Sequence, residues 1–343
     1  MGGRKIRNME EFAAVSGISR PTVSKYFNDP ASVRATTRQR IEAALEDYDY
    51  RPNIFAVNQN RRLTKNIGIV VPYLADPFFA EIARNLERRC IDAGFSPILF
   101  SSHGVTDYET DILEALRALK PAGVLLAPLG RSSDKKALEA FCRDVPTVLF
   151  DSYIKDLGEA FVGHNNAQAT ALICEYLCRT GAPPCFFEMR TPTNPNAIRR
   201  RQTYCDVMEG LGHEPRLVQV EGESWDFEEV GYQEGKRVIS ENLLPTDTVL
   251  CSNDRLAIGF LSAAYETGRH VGRGANCALR VAGHDNHPFS KYTSPPLTTI
   301  SQDYTAIAHQ SVATLFDVIE SGSTENQQTQ KLFDGQLIMR ESA

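Results

Sequence analysis

Several polar and aromatic residues stand at the ends of predicted strands, where their side chains could meet a small molecule. Carboxylates and amides exchange hydrogen bonds with vicinal hydroxyls, and flat aromatic rings stack on the C–H faces of a polyol. This set predicts a site for a monosaccharide, a sugar acid or a related polyol, and its arginine leaves room for a carboxylate or a phosphate. The candidates are Phe78, Phe79, Asp151, Arg200, Trp225, Asn253, Asp285 and Gln302, followed by Tyr304.

Some of these residues could serve the fold instead. A phenylalanine at a helix start is often part of a core, so one of Phe78 and Phe79 can be structural. Trp225, the only tryptophan, could pack between a strand and a helix. Asp151 could cap the turn that follows it.

No common catalytic motif is present. The chain lacks a P-loop, a G-x-S-x-G elbow and an H-E-x-x-H helix, and its seven histidines are scattered. His284, Asp285 and His287 could suggest a metal site. However, alternation along a strand end predicts His284 and Asp285 on opposite faces. We expect a ligand-binding loop there, with no metal, no cofactor and no enzymatic activity.

The charge of the chain is unevenly distributed. Residues 1–65 contain 12 Lys or Arg and 7 Asp or Glu, whereas the remainder contains 25 and 36. A basic head on an acidic body indicates that the head meets phosphate groups and that the body does not. The 343 residues are enough for two or three domains with separate cores.

The head has the pattern of a helix-turn-helix. Asn8 can cap a first helix, Gly17 permits a tight turn, and Ser19 can cap a second helix. The second helix can enter a major groove, where Arg20 at its start can make two hydrogen bonds to guanine. The alternative is a small three-helix bundle with a polar surface. The other side chains placed to touch phosphates or bases are Thr22, Ser24 and Lys25.

The body alternates short apolar runs with amphipathic stretches, which predicts parallel sheets with helices on both faces. The number of elements suggests two α/β lobes, and two facing lobes form a cleft that can close on a ligand. The predicted strands are residues 67–73, 97–101, 123–126, 147–151, 185–188, 217–220, 249–252 and 281–283. The predicted helices are residues 77–93, 108–119, 167–179, 198–211, 228–241, 256–267 and 305–319.

One long pattern in the head points to a family. Residues 13–28 read A-A-V-S-G-I-S-R-P-T-V-S-K-Y-F-N, followed by T-R-Q-R-I-E-A-A at 37–44 and Y-R-P-N at 50–53. This pattern resembles the LacI/GalR (lactose/galactose repressor) family, and I-G-I-V-V-P at 67–72 begins the body at the expected place. The resemblance implies a sequence-specific DNA-binding transcriptional regulator, most commonly a repressor of carbohydrate-utilisation genes controlled by a sugar-like effector.

The resemblance also assigns roles to residues. It places Arg20, Pro21 and Lys25 at base-reading or adjacent positions, and it places Thr22, Ser24 and Asn28 at positions that anchor the DNA backbone. In the body, D-P-F-F at 76–79 resembles the N-P-F-F that follows the first strand in relatives, and V-A-G-H-D-N at 281–286 resembles their G-[FY]-D-D. Arg200 aligns with the effector arginine of R-x-x-G-F, although Thr203 replaces the usual glycine.

The hinge between head and body departs from the family. In relatives this segment folds into a helix on DNA, and a leucine from each subunit wedges into the minor groove. The usual pattern is P-N-x-x-A-R-x-L, but here Val57 replaces the arginine and Gln59 replaces the leucine. Glutamine can hydrogen-bond minor-groove acceptors. Asn53 and Gln59 are therefore candidate DNA contacts without the leucine-type kink.

The resemblance implies a fold and its domain limits. The fold class is an all-α helix-turn-helix head with an α/β two-lobed body, like periplasmic binding proteins, that holds two parallel doubly wound sheets. The expected domains are residues 1–51 for the head, 52–65 for the hinge and 66–343 for the body. Within the body, the N-lobe is expected at about 66–162 and 297–321, and the C-lobe at about 165–286 and 331–343. The chain would cross between lobes near 162–165, 286–297 and 321–331.

The remaining sequence features concern location and assembly. The chain has neither a secretory signal nor an apolar run long enough for a bilayer, so we expect a cytoplasmic bacterial protein. Its eight cysteines form no C-x-x-C pair and are expected to be buried free thiols. The chain ends at Ala343 without the leucine-heptad tail that makes some relatives tetramers. We therefore expect a homodimer on a near-palindromic operator.

Two alternatives stay open at this point. A sugar-binding transport protein would share the body, but it would need an export signal in place of the head. Among regulators, a nucleoside or nucleobase effector is possible, because Phe78 and Phe79 suit a stacked base as well. The residues do not tell whether the effector releases DNA or promotes its binding.

Overall fold

The computed structural model describes residues 4–6, 8–28, 30–50, 64–192, 195–222, 225–321 and 328–343. The chain divides into two compact units, residues 1–64 and residues 65–343. The predicted hinge contacts Asn53 and Gln59 lie outside the described residues. Within the described ranges, no helix combines the length and the apolar character that a membrane crossing needs.

The head is a three-helix unit, as the sequence predicts. Asn8 caps the first helix by accepting a 2.8 Å hydrogen bond from the Glu11 N–H. Phe12, Val23 and Ile41, one from each helix, are fully buried and hold the helices together. The helices are α1 Met9–Ser16, α2 Arg20–Asn28 and α3 Ala35–Asp47, with a 3₁₀ turn at Pro30–Ser32 and two short strands, β1 Arg4–Lys5 and β2 Tyr48–Asp49.

The N-lobe of the body is built on one parallel sheet with helices on both faces. Its strands are β3 Asn66–Val71, β4 Ser96–Ser101, β5 Gly123–Leu126, β6 Thr147–Phe150, β7 Ala160–His164 and β13 Thr329–Phe333. Its helices are α4 Pro77–Asp92, α5 Thr106–Leu119, α6 Lys135–Asp144 and α11 Tyr304–Ser321. The strand order is β13-β7-β6-β5-β3-β4, and every pair is parallel.

The C-lobe repeats this design on a smaller sheet. Its parallel strands, in the order β11-β10-β8-β9, are β8 Cys185–Met189, β9 Leu217–Val220, β10 Thr248–Cys251 and β11 Arg280–Ala282. Its helices are α7 Asn166–Thr180, α8 Pro195–Gly210, α9 Phe227–Ser240 and α10 Asp254–Glu266. An antiparallel pair, β12 Thr299–Ser301 and β14 Gln336–Ile338, lies beside α7. The two parallel sheets confirm the predicted fold class.

The second and third crossings lie later in the chain than expected. Residues 298–301 stay with the C-lobe, because Gly283 and Asp285 donate backbone hydrogen bonds to Thr298 and Ile300. The chain therefore leaves the C-lobe just before α11. The segment 329–333 is still a strand of the N-lobe sheet, so the last crossing falls between β13 and β14.

Every predicted body helix and strand overlaps an observed one, but five elements were not predicted. These are α6, β7, β12, β13 and β14. All five are short, and β13 is an edge strand whose side chains are mostly exposed, so no apolar run marks it. The eight cysteines are free, but only Cys90, Cys174, Cys185 and Cys251 are buried, and the other four are partly exposed.

Candidate functional site

The exposed start of α2 carries most of the predicted DNA contacts. Gly17 ends α1 in a left-handed conformation, with φ 64°, which turns the chain into α2. The Arg20 side chain is 64% exposed and lies 3.7 Å from Glu10. Ser19, expected to cap α2, places its hydroxyl 2.8 Å from the Thr22 hydroxyl.

The remaining predicted contacts lie on the same helix. Pro21 and Lys25 are exposed, and Thr22 and Ser24 are partly exposed. Asn28 is the last residue of α2. An exposed helix start with one cation and two hydroxyls nearby can donate to phosphates and to base edges.

The second candidate site is a narrow cavity in the body with a volume of about 20 Å³. Its walls come from both lobes, because Asp76, Phe78 and Asp151 belong to the N-lobe and most of the others to the C-lobe. Six of the eight predicted effector residues line it. They are Phe78, Asp151, Arg200, Asn253, Asp285 and Gln302, and Tyr304 joins them.

The centre of the cavity wall is an ion pair between Arg200 and Asp285. The Arg200 Nη2 donates to Asp285 Oδ1 at 2.7 Å, and the Gln302 amide donates to the same oxygen at 2.8 Å. Arg200 is 3% exposed. It also donates from Nε to Asn166 and from Nη1 to the Ser252 carbonyl, both at 2.8 Å. One guanidinium thus fixes α7, the end of β10 and the loop after β11 around the cavity.

Asp285 is held in an unusual backbone conformation with φ 115°. Its N–H donates to the Ile300 carbonyl at 2.9 Å, and its carbonyl accepts from the Tyr304 hydroxyl at 2.5 Å. The His284 Nδ1 lies 3.2 Å from Asp285 Oδ1. The prediction that these two side chains point to opposite faces is therefore wrong. β11 ends at Ala282, so strand alternation no longer applies to them.

Charges in this network follow from burial and from the guanidinium. Burial alone would raise the pKa of Asp285, but the charge of Arg200 and the His284 hydrogen bond hold it well below its usual range. Burial lowers the pKa of His284 to about 4, so the imidazole is neutral and donates Nδ1–H to an ionised Asp285. Among the described residues, no three potential ligands are grouped so as to hold a metal ion.

Two more polar contacts join the lobes at the cavity, besides the Tyr304 hydroxyl that donates to the Asp285 carbonyl. The Arg255 Nη1 donates to Asp76 Oδ2 at 3.0 Å, and the same guanidinium pairs with Glu228 at 2.6 Å. The Asn196 amide donates to Asp151 Oδ1 at 2.9 Å. The cavity is therefore closed by groups that belong to opposite lobes.

Aromatic residues also form a contact between the lobes. Trp225 stacks on Tyr73 with ring centroids 5.5 Å apart and meets the edge of Phe79 at 6.0 Å. A methyl group added at Gly104 would lie 2.2 Å from the Trp225 Nε1, so only glycine permits this approach. Phe79 is 1% exposed and belongs to the core. Phe79 and Trp225 are not among the residues that line the cavity, so their contacts with the effector stay predictions.

Five wall residues escaped the sequence prediction. They are Asp76, Phe227, Asp254, Arg255 and His287. Four of them adjoin predicted residues, since Asp76 begins D-P-F-F, Asp254 and Arg255 follow Asn253, and His287 lies two residues after Asp285. Phe227 lies two residues after Trp225.

The buried carboxylates of the cavity wall differ in the groups that stabilise their negative charge. Asp254 accepts from the Ser290 hydroxyl, the Thr299 hydroxyl and the His287 N–H at 2.5, 2.6 and 2.8 Å. Burial, with repulsion from Asp285, raises the pKa of Asp254 to about 6. Burial raises the pKa of Asp151 to about 7, and the charge of Arg200 only partly offsets this rise.

Comparison with known proteins adds two family models and several relatives. Residues 8–53 match the model of bacterial regulatory proteins of the lacI family, and residues 174–343 match a periplasmic binding protein-like domain. The transcriptional repressor PurR of Pasteurella multocida is 28% identical over 319 residues, which cover 92% of this chain and 93% of the relative. The ribose operon repressor of Escherichia coli is 25% identical over 323 residues, which cover 94% and 96%.

A solved structure resembles the whole chain. The lac repressor dimer bound to operator and the anti-inducer ONPF matches with a TM-score of 0.81 and 25% identity. The match covers 98% of this chain and 98% of that chain.

Proposed function

This chain belongs to the LacI family of bacterial regulatory proteins, and from that premise we propose that it represses carbohydrate-utilisation genes under the control of a small sugar-like effector. Residues 1–51 bind DNA, 52–65 form the hinge, and 66–343 bind the effector and pair two subunits. The lac repressor that it resembles is a dimer on its operator. A homodimer places two heads on the half-sites of a near-palindromic operator.

The observation that carries the effector proposal is the hydrogen-bonding capacity left open in the cavity. Arg200, Gln302 and His284 all reach Oδ1 of Asp285, and no described residue donates to its Oδ2. The side-chain oxygen Oδ1 of Asn253 caps α10. The side-chain N–H groups of Asn253 therefore have no acceptor among the described residues. An acceptor and a donor held this way suit vicinal hydroxyls.

Aromatic rings complete a polyol site. Phe78, Phe227 and Tyr304 line the cavity and can stack on the C–H faces of a sugar ring. A ligand that touches both lobes binds one lobe arrangement better than another, and this difference is what couples it to DNA affinity. We assign no catalytic step to these residues, and a regulator of this kind acts in the cytoplasm, where its DNA is.

The DNA-binding surface in this proposal is the start of α2 with the hinge. Arg20, Pro21 and Lys25 lie at or beside base edges, whereas Thr22, Ser24 and Asn28 hold the phosphate backbone. Asn53 and Gln59 contact the minor groove.

The test has two stages. Operator sequences are selected from random duplexes with the full-length protein, and their affinity is measured by fluorescence anisotropy at fixed salt. Sugars, polyols, sugar acids, sugar phosphates and nucleosides are then screened for a rise in Tm, and each hit is added to the operator complex. We expect a sugar-type hit to change operator affinity by about tenfold or more. A selection that returns no common sequence, or hits that leave operator affinity unchanged, would contradict the proposal.

A further inference from the structure

Carboxylates outnumber cations on the cavity wall. Among the wall residues that the structure describes, the cations are Arg200 and Arg255. The carboxylates are Asp76, Asp151, Asp254 and Asp285. An anionic ligand would add charge of the same sign to a wall that is already negative, at a site where burial weakens screening.

Neither arginine offers an uncompensated charge to a ligand. Arg255 pairs with Asp76 at 3.0 Å and with Glu228 at 2.6 Å. Arg200 pairs with Asp285 at 2.7 Å. Their remaining N–H groups can donate to hydroxyls, but the charge of each guanidinium is already balanced by a carboxylate. The arginines therefore do not mark a subsite for a carboxylate or a phosphate.

The wall carboxylates are not equivalent either. Asp76 and Asp285 each form an ion pair with an arginine. Asp254 accepts hydrogen bonds from two hydroxyls and a backbone N–H, which anchor the loop after β11. Asp151 receives only the neutral donors Asn196 and Ser152, at 2.9 and 3.2 Å.

Asp151 is therefore a buried carboxylate without a counter-ion. It is 7% exposed and lines the cavity, and no described cation lies within ion-pair distance of it. A buried carboxylate is costly to ionise without a cation beside it, which is why burial raises the pKa of Asp151 to about 7. A cation placed here would restore the balance of the wall.

We propose that the effector carries a protonated amine that pairs with Asp151, so that the cavity selects an amino sugar or another aminated polyol over its neutral and acidic counterparts. This inference rests on the proposed function, because it concerns the same cavity. The hydroxyls of the ligand meet Asp285 and Asn253. The ammonium lies where Asn196 of the C-lobe reaches the N-lobe, so its charge contacts both lobes.

The test compares matched probes by isothermal titration calorimetry with the full-length protein. The probes are three sets of amine, hydroxyl and acid: glucosamine, glucose and glucuronate, and the corresponding galactose and mannose series. We expect at least one amine to bind about tenfold or more tightly than its hydroxyl counterpart, since an ion pair with the Asp151 carboxylate replaces a hydroxyl hydrogen bond. The acids are expected to bind most weakly.

Two variants test whether Asp151 causes the preference for amines. Asp151 and Asp156 lie in one loop with similar left-handed φ values of 59° and 60°, a conformation that asparagine tolerates. Asp151→Asn should abolish the amine preference while keeping the Asn196 contact. Asp156→Asn, on the exposed surface, should retain the preference.

Each outcome has a separate meaning. Binding of a neutral sugar with an equal or weaker amine would overturn this inference and leave the proposed function standing. A preference for the acids, or no binding by any amine, would also overturn it. An amine preference that survives Asp151→Asn would refute the role of Asp151.

Discussion

The guanidinium of Arg255 lies 3.0 Å from the carboxylate of Asp76, although 179 positions of sequence separate the two residues. One belongs to the C-lobe and the other to the N-lobe, so the pair spans the cavity. Both side chains are nearly buried, with exposures of 11% and 9%. Arg255 is also fixed on its own lobe by Glu228 and lies over the Phe227 ring at 5.1 Å. The closed arrangement of the lobes is thus held by the protein's own charges.

Neutralising Asp76 should loosen this closure. Asparagine caps helices as well as aspartate does, so Asp76→Asn keeps the hydrogen bond to the Phe78 N–H but removes the charge opposite Arg255. We expect a loss of about 1–2 kcal/mol in unfolding free energy, because Arg255 keeps Glu228. We also expect a larger radius of gyration by small-angle X-ray scattering.

The control for that variant is Asp134→Asn. Asp134 also caps a helix, α6, but it is exposed and forms no ion pair with any described residue. Equal effects of the two substitutions would show that the cap, and not the lobe contact, is what the change disturbs.

Replacing Arg200 should uncouple the cavity from the rest of the body. Arg200→Lys keeps the positive charge but cannot reach Asn166, Ser252 and Asp285 together. We expect a loss of about 2–4 kcal/mol in stability by urea unfolding and loss of the effector response, with operator binding retained. Arg199→Lys, at an exposed neighbour, should change stability by less than about 0.5 kcal/mol. A normal effector response in Arg200→Lys would move the site elsewhere.

Arg20 should contribute to sequence discrimination. Arg20→Ala is expected to weaken operator binding by about 1–3 kcal/mol in anisotropy titrations and to leave effector affinity unchanged. Arg84→Ala is a matched control, because Arg84 is also about two-thirds exposed beside a glutamate but lies on the body. If Arg20→Ala weakens binding equally on random DNA, Arg20 is a phosphate contact and does not read bases.

The buried carboxylate Asp151 should leave a signature in the pH dependence of stability. Its pKa is raised to about 7 in the folded protein, so between roughly pH 4 and 7 the folded state binds more protons than the unfolded state. Stability from this group is therefore lost as pH rises through that window. The unfolding free energy of Asp151→Asn, taken relative to that of wild type, should rise by on the order of 2 kcal/mol from pH 5 to pH 7.5 in urea titrations.

The control for the pH profile is again Asp156→Asn, which makes the same change at an exposed position of the same loop. A difference between Asp151→Asn and wild type that stays constant with pH would mean that Asp151 remains ionised throughout.

Much of this molecule could be predicted from local patterns. The helix-turn-helix depends on short-range signals, such as the Asn8 cap and the turn at Gly17, which act within a few residues. The body strands are recognisable because they are buried on both faces and read as continuous apolar runs. Arg200 and Asp285 could be picked because each stands in a recognisable motif, although the sequence does not reveal that they pair.

The residues that were missed depend on contacts between distant parts of the chain. Arg255 has no motif of its own, and its pairing with Asp76 exists only once the lobes face each other. The aromatic residues show the same limit. The local pattern cannot show whether Phe78 or Phe79 lines the cavity, or whether Trp225 or Phe227 does. Each choice depends on which ring packs against the opposite lobe.

The position of Trp225 gives the protein a built-in optical reporter. It is the only tryptophan in the chain, and it lies in the C-lobe against Tyr73 and Gly104 of the N-lobe. Separation of the lobes would expose the indole to water and shift its fluorescence emission to longer wavelength. Lobe opening can therefore be followed in the unlabelled wild-type protein, on DNA and in solution, within the time of a stopped-flow mixing experiment.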